Sequence, residues 1–192
     1  MLTEELKKKF ISLKVELNDL HISSAFYAEK INRLSYIFKT TTRKYVLEEF
    51  TALRYLENGI ILHLTNLDDD SSDFSFRAAF KELNKIKSDP ATLKKVSEKL
   101  RKYRQNINSF KVEHRNKRIA HLSSTEELNF DEFLNFDKEL RPVINQANEI
   151  GDDFWGQRIE SKFKLGSLEG FIDFRKTVET ITIDVNRNQS FS

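Results

Sequence analysis

LKKVSEKLRKYRQNINSF, residues 93–110, decides the fold class of this chain. Leu93, Val96, Leu100, Tyr103, Ile107 and Phe110 follow one another at alternating steps of three and four residues. That spacing puts every apolar side chain on one face of an α-helix and every charged one on the others, and it contains no two-residue alternation that would suit a strand. Continuing the same alternation lands on His114, Lys117 and His121, so the stripe changes from apolar to basic before Ser123, Ser124 and Thr125 interrupt it.

The same seam recurs on both sides of this segment. Near the start, Thr3 followed by Glu4 and Glu5 suits a helix cap and its acidic first turn. Leu6, Phe10, Leu13, Leu17 and Leu20 then open a seam that resumes in phase at Tyr27, Ile31, Leu34 and Phe38, predicting one long helix or two nearly collinear ones. Thr40 to Thr42 make a turn and cap, and Val46, Phe50, Leu53, Ile60, Leu64 and Leu67 define a second helix. A shorter helix carries Phe76, Ala79, Phe80, Leu83 and Ile86. Asp89 and Pro90 open the fourth, proline being suited to a first helical turn. Phe133, Phe136, Leu140, Val143, Ala147 and Ile150 mark a fifth, which Pro142 kinks or delays. Leu168, Phe171, Val178 and Ile181 mark a last amphipathic segment; residues 177–185 are the best strand candidate, although helix is preferred there too. The expected fold is all-α, an antiparallel helical bundle of long helices. Residues 1–150 form the bundle, and 151–192 form a C-terminal helical extension packed on it with a frayed tail.

A chain of 192 residues can bury a sizeable core. It contains no cysteine, which excludes disulfides and thiolate metal sites. Neither a signal core nor an apolar run of membrane-spanning length is present, so a soluble, cytoplasmic protein without membrane contact is expected. The net charge of +2 is unevenly spread. Residues 91–121 hold ten Lys or Arg against two Glu, whereas residues 122–160 hold ten Asp or Glu against three Lys or Arg. Two readings follow: the basic segment meets an anionic partner, or the two segments face and neutralise one another.

The chemistry concentrates in HRNKRIAH, residues 114–121. Histidine exchanges protons near neutral pH, and arginine presents a planar fork matched to phosphate oxygens. Together they suit phosphodiester cleavage without a metal or other cofactor. On one ideal helix Arg115 and His121 lie roughly 120° apart around the axis and about 9 Å apart along it. One copy therefore does not bring both to one phosphate, whereas two copies around a two-fold axis do.

Arg115-Asn116-Lys117-Arg118-Ile119-Ala120-His121 resembles the motif of the HEPN superfamily: Arg, a polar residue directly after it, and His after four to six intervening residues. LHLTNLDDDSSDFSFRAAFKEL, residues 62–83, is similar to the abortive-infection U branch of that superfamily, and the resemblance covers roughly residues 1–150. It implies a dimer-forming HEPN-like bundle acting as a metal-independent endoribonuclease of the toxin or phage-defence type. Arg115 would stabilise charge on the phosphorane-like transition state, Asn116 would orient the phosphate or the catalytic pair, and His121 would move protons at the ribose 2′-OH and the leaving 5′-oxygen. The implied partners are RNA, a second copy of the chain and an antitoxin or defence-system protein. Charge alone assigns RNA contact to Lys111, His114, Lys117 and Arg118. Ser123 stands where toxins silenced by a nucleotidyltransferase antitoxin carry Tyr, a departure from that mode of regulation. The other reading is a non-catalytic HEPN-like scaffold or a nucleotide- or RNA-binding module.

Other clusters read as structural. Glu113, His114 and His121 sit among Arg and Lys charges that oppose a cation. The acidic run at Asp68, Asp69, Asp70 and Asp73 lacks the glycine and distal glutamate of a calcium loop and reads as a solvated, cap-rich loop. His21 and His63 have no catalytic neighbours in sequence, the GSLEG stretch at 166–170 is too short for a phosphate loop, and Trp155 is expected to anchor the C-terminal segment.

Overall fold

The computed structural model describes residues 4–86, 89–112, 133–163 and 172–183. These residues are mostly helical: α1 (Glu4–Thr40), α2 (Arg43–Asn66), α3 (Phe76–Lys85), α4 (Pro90–Ser109), a π-helical turn (Phe136–Leu140) leading into α5 (Arg141–Trp155), and α6 (Phe174–Thr180). The only strands among them, β1 (Lys162–Phe163) and β2 (Ile172–Asp173), pair antiparallel, with 162 opposite 173 and 163 opposite 172.

Caps fix where the helices begin. Thr42 accepts from the Tyr45 amide, Ser75 from Ala78, Asp89 from Thr92, Asn135 from Lys138 and Asp173 from Lys176, each satisfying a first-turn N–H that has no partner within its helix. Pro142 lies in the first turn of α5, where its missing N–H costs nothing, and the π-helical turn absorbs the irregularity just before it. Gly156 ends α5 at φ +70°, a left-handed position where a side chain would be strained.

α1 is a single helix, uninterrupted at its polar middle, and α2, α3, α5 and α6 all pack against it, while α4 packs on α3 and α5. Leu6, Leu13, Leu17, Leu20 and Tyr27 are almost wholly excluded from water. Each buried leucine contributes roughly 1.5–3 kcal/mol of transfer free energy. The expected seam fails at its far end: Phe38 is 47% exposed, and Ile37 is buried instead. A strict seven-residue repeat drifts by roughly 20° per heptad on a straight helix, so the last members of a long seam turn away from the core.

α5 runs through residue 150, and at Gly151 an added Cβ would approach Leu17 Cδ1 to 2.7 Å. Ile159, Phe174 and Val178 share one apolar cluster with Leu6, Leu17 and Leu100, so the C-terminal residues complete the core. The stretch at 177–185 is helical through Thr180, the assignment preferred over a strand, and irregular at 181–183. No helix among the described residues is long and apolar enough to cross a membrane.

Candidate functional site

Arg115, Asn116 and His121, and with them His114, Lys117 and Arg118, lie outside the described residues. The described chain stops at Val112 and resumes at Phe133.

On the entry side, α4 buries Val96, Leu100, Tyr103 and Ile107, and the Tyr103 phenol donates to the Leu64 carbonyl at 2.7 Å. Two residues beyond α4, Lys111 donates to Asp68 Oδ2 at 2.7 Å. Asp68 belongs to the acidic run expected to be a solvated loop, yet it is only 1% exposed. Its carboxylate also accepts from Arg104 Nε at 3.0 and 3.2 Å and from Arg77 Nε at 3.1 Å, and its carbonyl accepts from the second arm of the Arg104 guanidinium at 3.1 Å. Three cations therefore occupy this acid, which is the physical reason it can be buried at all. Asp70 takes Arg104 at 2.8 Å and Arg77 at 3.4 Å, and the Arg104 guanidinium holds the Asp70 carboxyl below its ordinary range.

On the exit side, Leu134 is gripped at both backbone groups. Its amide donates to Glu57 Oε1 at 2.6 Å, and its carbonyl accepts from the Tyr27 phenol at 2.9 Å. Glu57 and Tyr27 are wholly buried. Burial raises the Glu57 carboxyl above its ordinary range, against the opposing pull of the Leu134 amide and the Arg54 guanidinium. Phe133 packs on Phe50 with ring centres 5.6 Å apart, and the Arg54 guanidinium lies over its ring at 5.3 Å.

The sequence left open whether the basic helix faces an anionic partner or the acidic segment, and part of the acidic segment does face it. Lys99 pairs with Asp153 at 2.5 Å and Glu149 at 3.7 Å, and Lys95 with Asp153 at 3.5 Å. Lys94, Arg101 and Lys102 stay exposed and form no ion pair among the described residues.

The remaining candidates are structural in place. His21 Nε2 lies 2.6 Å from Asn148 Oδ1, and its Nδ1 lies 2.5 Å from Ser161 Oγ. A hydroxyl, an imidazole and an orienting amide in line have the wiring of a nucleophile and its base, but all three residues are at most 3% exposed and no substrate reaches them. His63 Nδ1 lies 2.9 Å from Glu16. Trp155 packs on Phe10 at 5.3 Å, with Lys14 over its ring at 6.0 Å. An open cleft of about 430 Å³ along α1 is lined by Ile11, Lys14, Val15, Asn18 and Glu160 and brings no reactive pair together.

Neither the buried Asp68 nor the buried Glu57 was anticipated from sequence, though a signal existed. Leu53, Glu57, Ile60, Leu64 and Asp68 step by threes and fours, so both acids occupy the buried stripe of α2 and its extension. Against protein-family models, curated proteins and solved structures, the chain finds no match.

Proposed function

We propose that this chain is a metal-independent endoribonuclease of the HEPN type, a toxin or phage-defence enzyme that works as a homodimer of antiparallel helical bundles. The observation that carries the reading is the sequence Arg115-Asn116-Lys117-Arg118-Ile119-Ala120-His121, which follows a basic amphipathic helix in an all-α chain. The exposed Lys94, Arg101 and Lys102 upstream of it, free of ion pairs among the described residues, add positive charge suited to a polyanion. Exposed Tyr36, Leu47 and Tyr55 on α1 and α2 offer apolar surface that a second copy can cover.

In this mechanism His121 takes the proton from the ribose 2′-OH, and the 2′-oxygen attacks phosphorus. Arg115 stabilises the charge on the equatorial oxygens, with Asn116 orienting the phosphate. The bond to the 5′-oxygen breaks, and that oxygen receives a proton from His121 of one of the two copies. The products carry a 2′,3′-cyclic phosphate and a 5′-hydroxyl.

A second reading, a non-catalytic HEPN-like scaffold, is favoured by one observation: Lys95, Lys99, Arg104 and Lys111 already pair with acids of this chain. Incubation of the purified protein with end-labelled mixed-sequence RNA in EDTA separates the two. The enzyme cleaves and leaves cyclic phosphate ends, and His121→Ala lowers the rate by at least about 100-fold with an unchanged melting temperature. RNA left intact across sequences and pH values overturns the nuclease, as does a His121→Ala variant that cleaves like the parent. Light scattering should give twice the 22.6 kDa of one chain.

A further inference from the structure

The cations of α4 divide by what stands opposite them. Lys95 and Lys99 lean on α5, reaching Asp153 and Glu149, and Asn106 on the same flank donates to Gln146 at 2.9 Å. On the other flank Arg104 reaches Asp68 and Asp70. Between the flanks, Lys94, Arg101 and Lys102 are exposed and pair with no acid among the described residues. On an ideal helix these three fall within roughly 100° of one another, opposite the buried stripe of Val96, Leu100, Tyr103 and Ile107. They form a crest that the protein's own acids leave uncompensated.

We infer that the crest of α4 is a seat for the sugar–phosphate backbone of an RNA strand, which it holds by charge and side-chain donors without reading the bases. The choice of RNA rests on the reading proposed above and deepens it by naming where the strand lies.

Charge is the first support. Glu98 is the one acid between Pro90 and Val112, and residues 99–112 hold five Lys or Arg with no acid at all. Like charges held on one rigid face attract a polyanion, whose condensed counterions are released as the cations replace them. Composition is the second. Beyond Arg101 and Lys102 the exposed positions include Gln105, Asn108 and Ser109, whose amides and hydroxyl can donate to phosphate and ribose oxygens. From Lys94 to Ser109 the crest runs about 22 Å, room for several successive phosphates.

The third support is the apolar content of the same surface. No large hydrophobic side chain of α4 is exposed. A helix that lies on a membrane needs an apolar face to sink into it, and α4 keeps its apolar face in the core. A platform for stacking bases needs an aromatic ring, and the aromatic ring of α4, Tyr103, is buried. Backbone contact is what such a crest can make.

The test measures affinity of the full chain for a labelled 2′-O-methyl RNA oligonucleotide, which lacks the 2′-hydroxyl that cleavage needs, across a series of salt concentrations. Arg101→Gln/Lys102→Gln removes two charges from the crest, and Lys95→Gln/Lys99→Gln removes two from the flank on α5. The crest variant should keep the parental melting temperature within about 2 °C, because both side chains are exposed and unpaired. It should flatten the dependence of log affinity on log salt by about 1.4, or about 0.7 per contact, and equally for two unrelated sequences. The flank variant should flatten it by less than half as much. A parental slope in the crest variant, equal flattening by both variants, or a parent that does not bind overturns the inference. So does polyglutamate that displaces the oligonucleotide as readily as unlabelled RNA does, which would make the crest a seat for an acidic peptide. A parent that binds through the crest yet leaves ordinary RNA intact overturns the nuclease and keeps the crest.

Discussion

His21 Nε2 and Asn148 Oδ1 sit 2.6 Å apart, with both residues essentially excluded from water. The amide oxygen requires a proton on Nε2, which leaves Nδ1 to accept from the Ser161 hydroxyl, so the ring is satisfied only as the neutral tautomer. Burial, reinforced by the nearby Arg175, lowers the His21 pKa from 6.5 to about 4, against opposing pulls from Asn148, Glu179 and Asp173. Above pH 6.5 the ring is neutral whether the chain is folded or not, and its contribution to stability is complete. As pH falls from 6.5 to about 4 the unfolded chain takes up the proton first, and about 3 kcal/mol is lost. Urea unfolding across pH 7 to 4 should show this loss in the parent. It should be absent in His21→Gln, while the share due to carboxylates such as Asp152 and Glu179 persists in both.

Arg175 ties the C-terminal helix to α5 through both arms of its guanidinium. It meets Asp152 at 2.7 Å twice, the Ile159 carbonyl at 2.8 Å and Glu179 at 3.0 Å, with only 6% of its side chain exposed. Burial pushes the Asp152 carboxyl upward, but the Arg175 fork outweighs it and holds the group below its ordinary range. Arg175→Met strands the Asp152 carboxylate and the Ile159 carbonyl, while Glu179 keeps Arg158 at 2.6 Å, and should cost about 3 kcal/mol in denaturant unfolding. Arg175→Lys should recover less than half, because a single ammonium cannot reproduce the two parallel bonds.

Two helical glycines should respond oppositely to alanine. At Gly59 the nearest atom to an added Cβ is Ser23 Oγ at 3.9 Å, so Gly59→Ala should gain about 0.5–1 kcal/mol from helix propensity. At Gly151 the added carbon would meet Leu17 Cδ1 at 2.7 Å and Ile159 Cδ1 at 3.1 Å, within a core that has no slack. Gly151→Ala should therefore lose about 1–2 kcal/mol despite the same propensity gain. Melting temperatures of the two variants check the sign of each.

If Lys117 and Arg118 contact phosphates of a single strand, neutralising both should flatten the dependence of log affinity on log salt by about 1.4, or about 0.7 per contact. The measurement is fluorescence anisotropy of an RNA oligonucleotide with a cleavage-deficient His121→Ala chain. An unchanged slope in Lys117→Gln/Arg118→Gln removes both residues from the binding surface.

Most of the helices could be read from residue spacing because their faces are made of the same few apolar types. Leu93 to Phe110 required only counting, and Asp89, Pro90 and Pro142 marked where helices start. Reading failed where a polar residue took an apolar position. Glu57 falls in the gap between Leu53 and Ile60, and Asp68 at the head of a run of acids that is exposed elsewhere, at Asp70 and Asp73. Spacing places such residues on the inner face, but their charge argues for the outer one, and only groups arriving from other segments, the Leu134 amide at Glu57 and three cations at Asp68, resolve the conflict. Of the candidate site, Lys111 alone falls within the described residues, and its partner is an acid 43 positions earlier.

Alone, the sequence determined the helical class, most helix limits, and the coincidence of Arg115 and His121 within one short motif, because propensity, capping and periodicity are properties of neighbours in the chain. Tertiary structure decided which acids are buried, which lysines are already paired, and that residues beyond 150 belong to the same core. Those outcomes depend on the free energy of bringing distant charges and apolar faces together, and no local stretch contains that term.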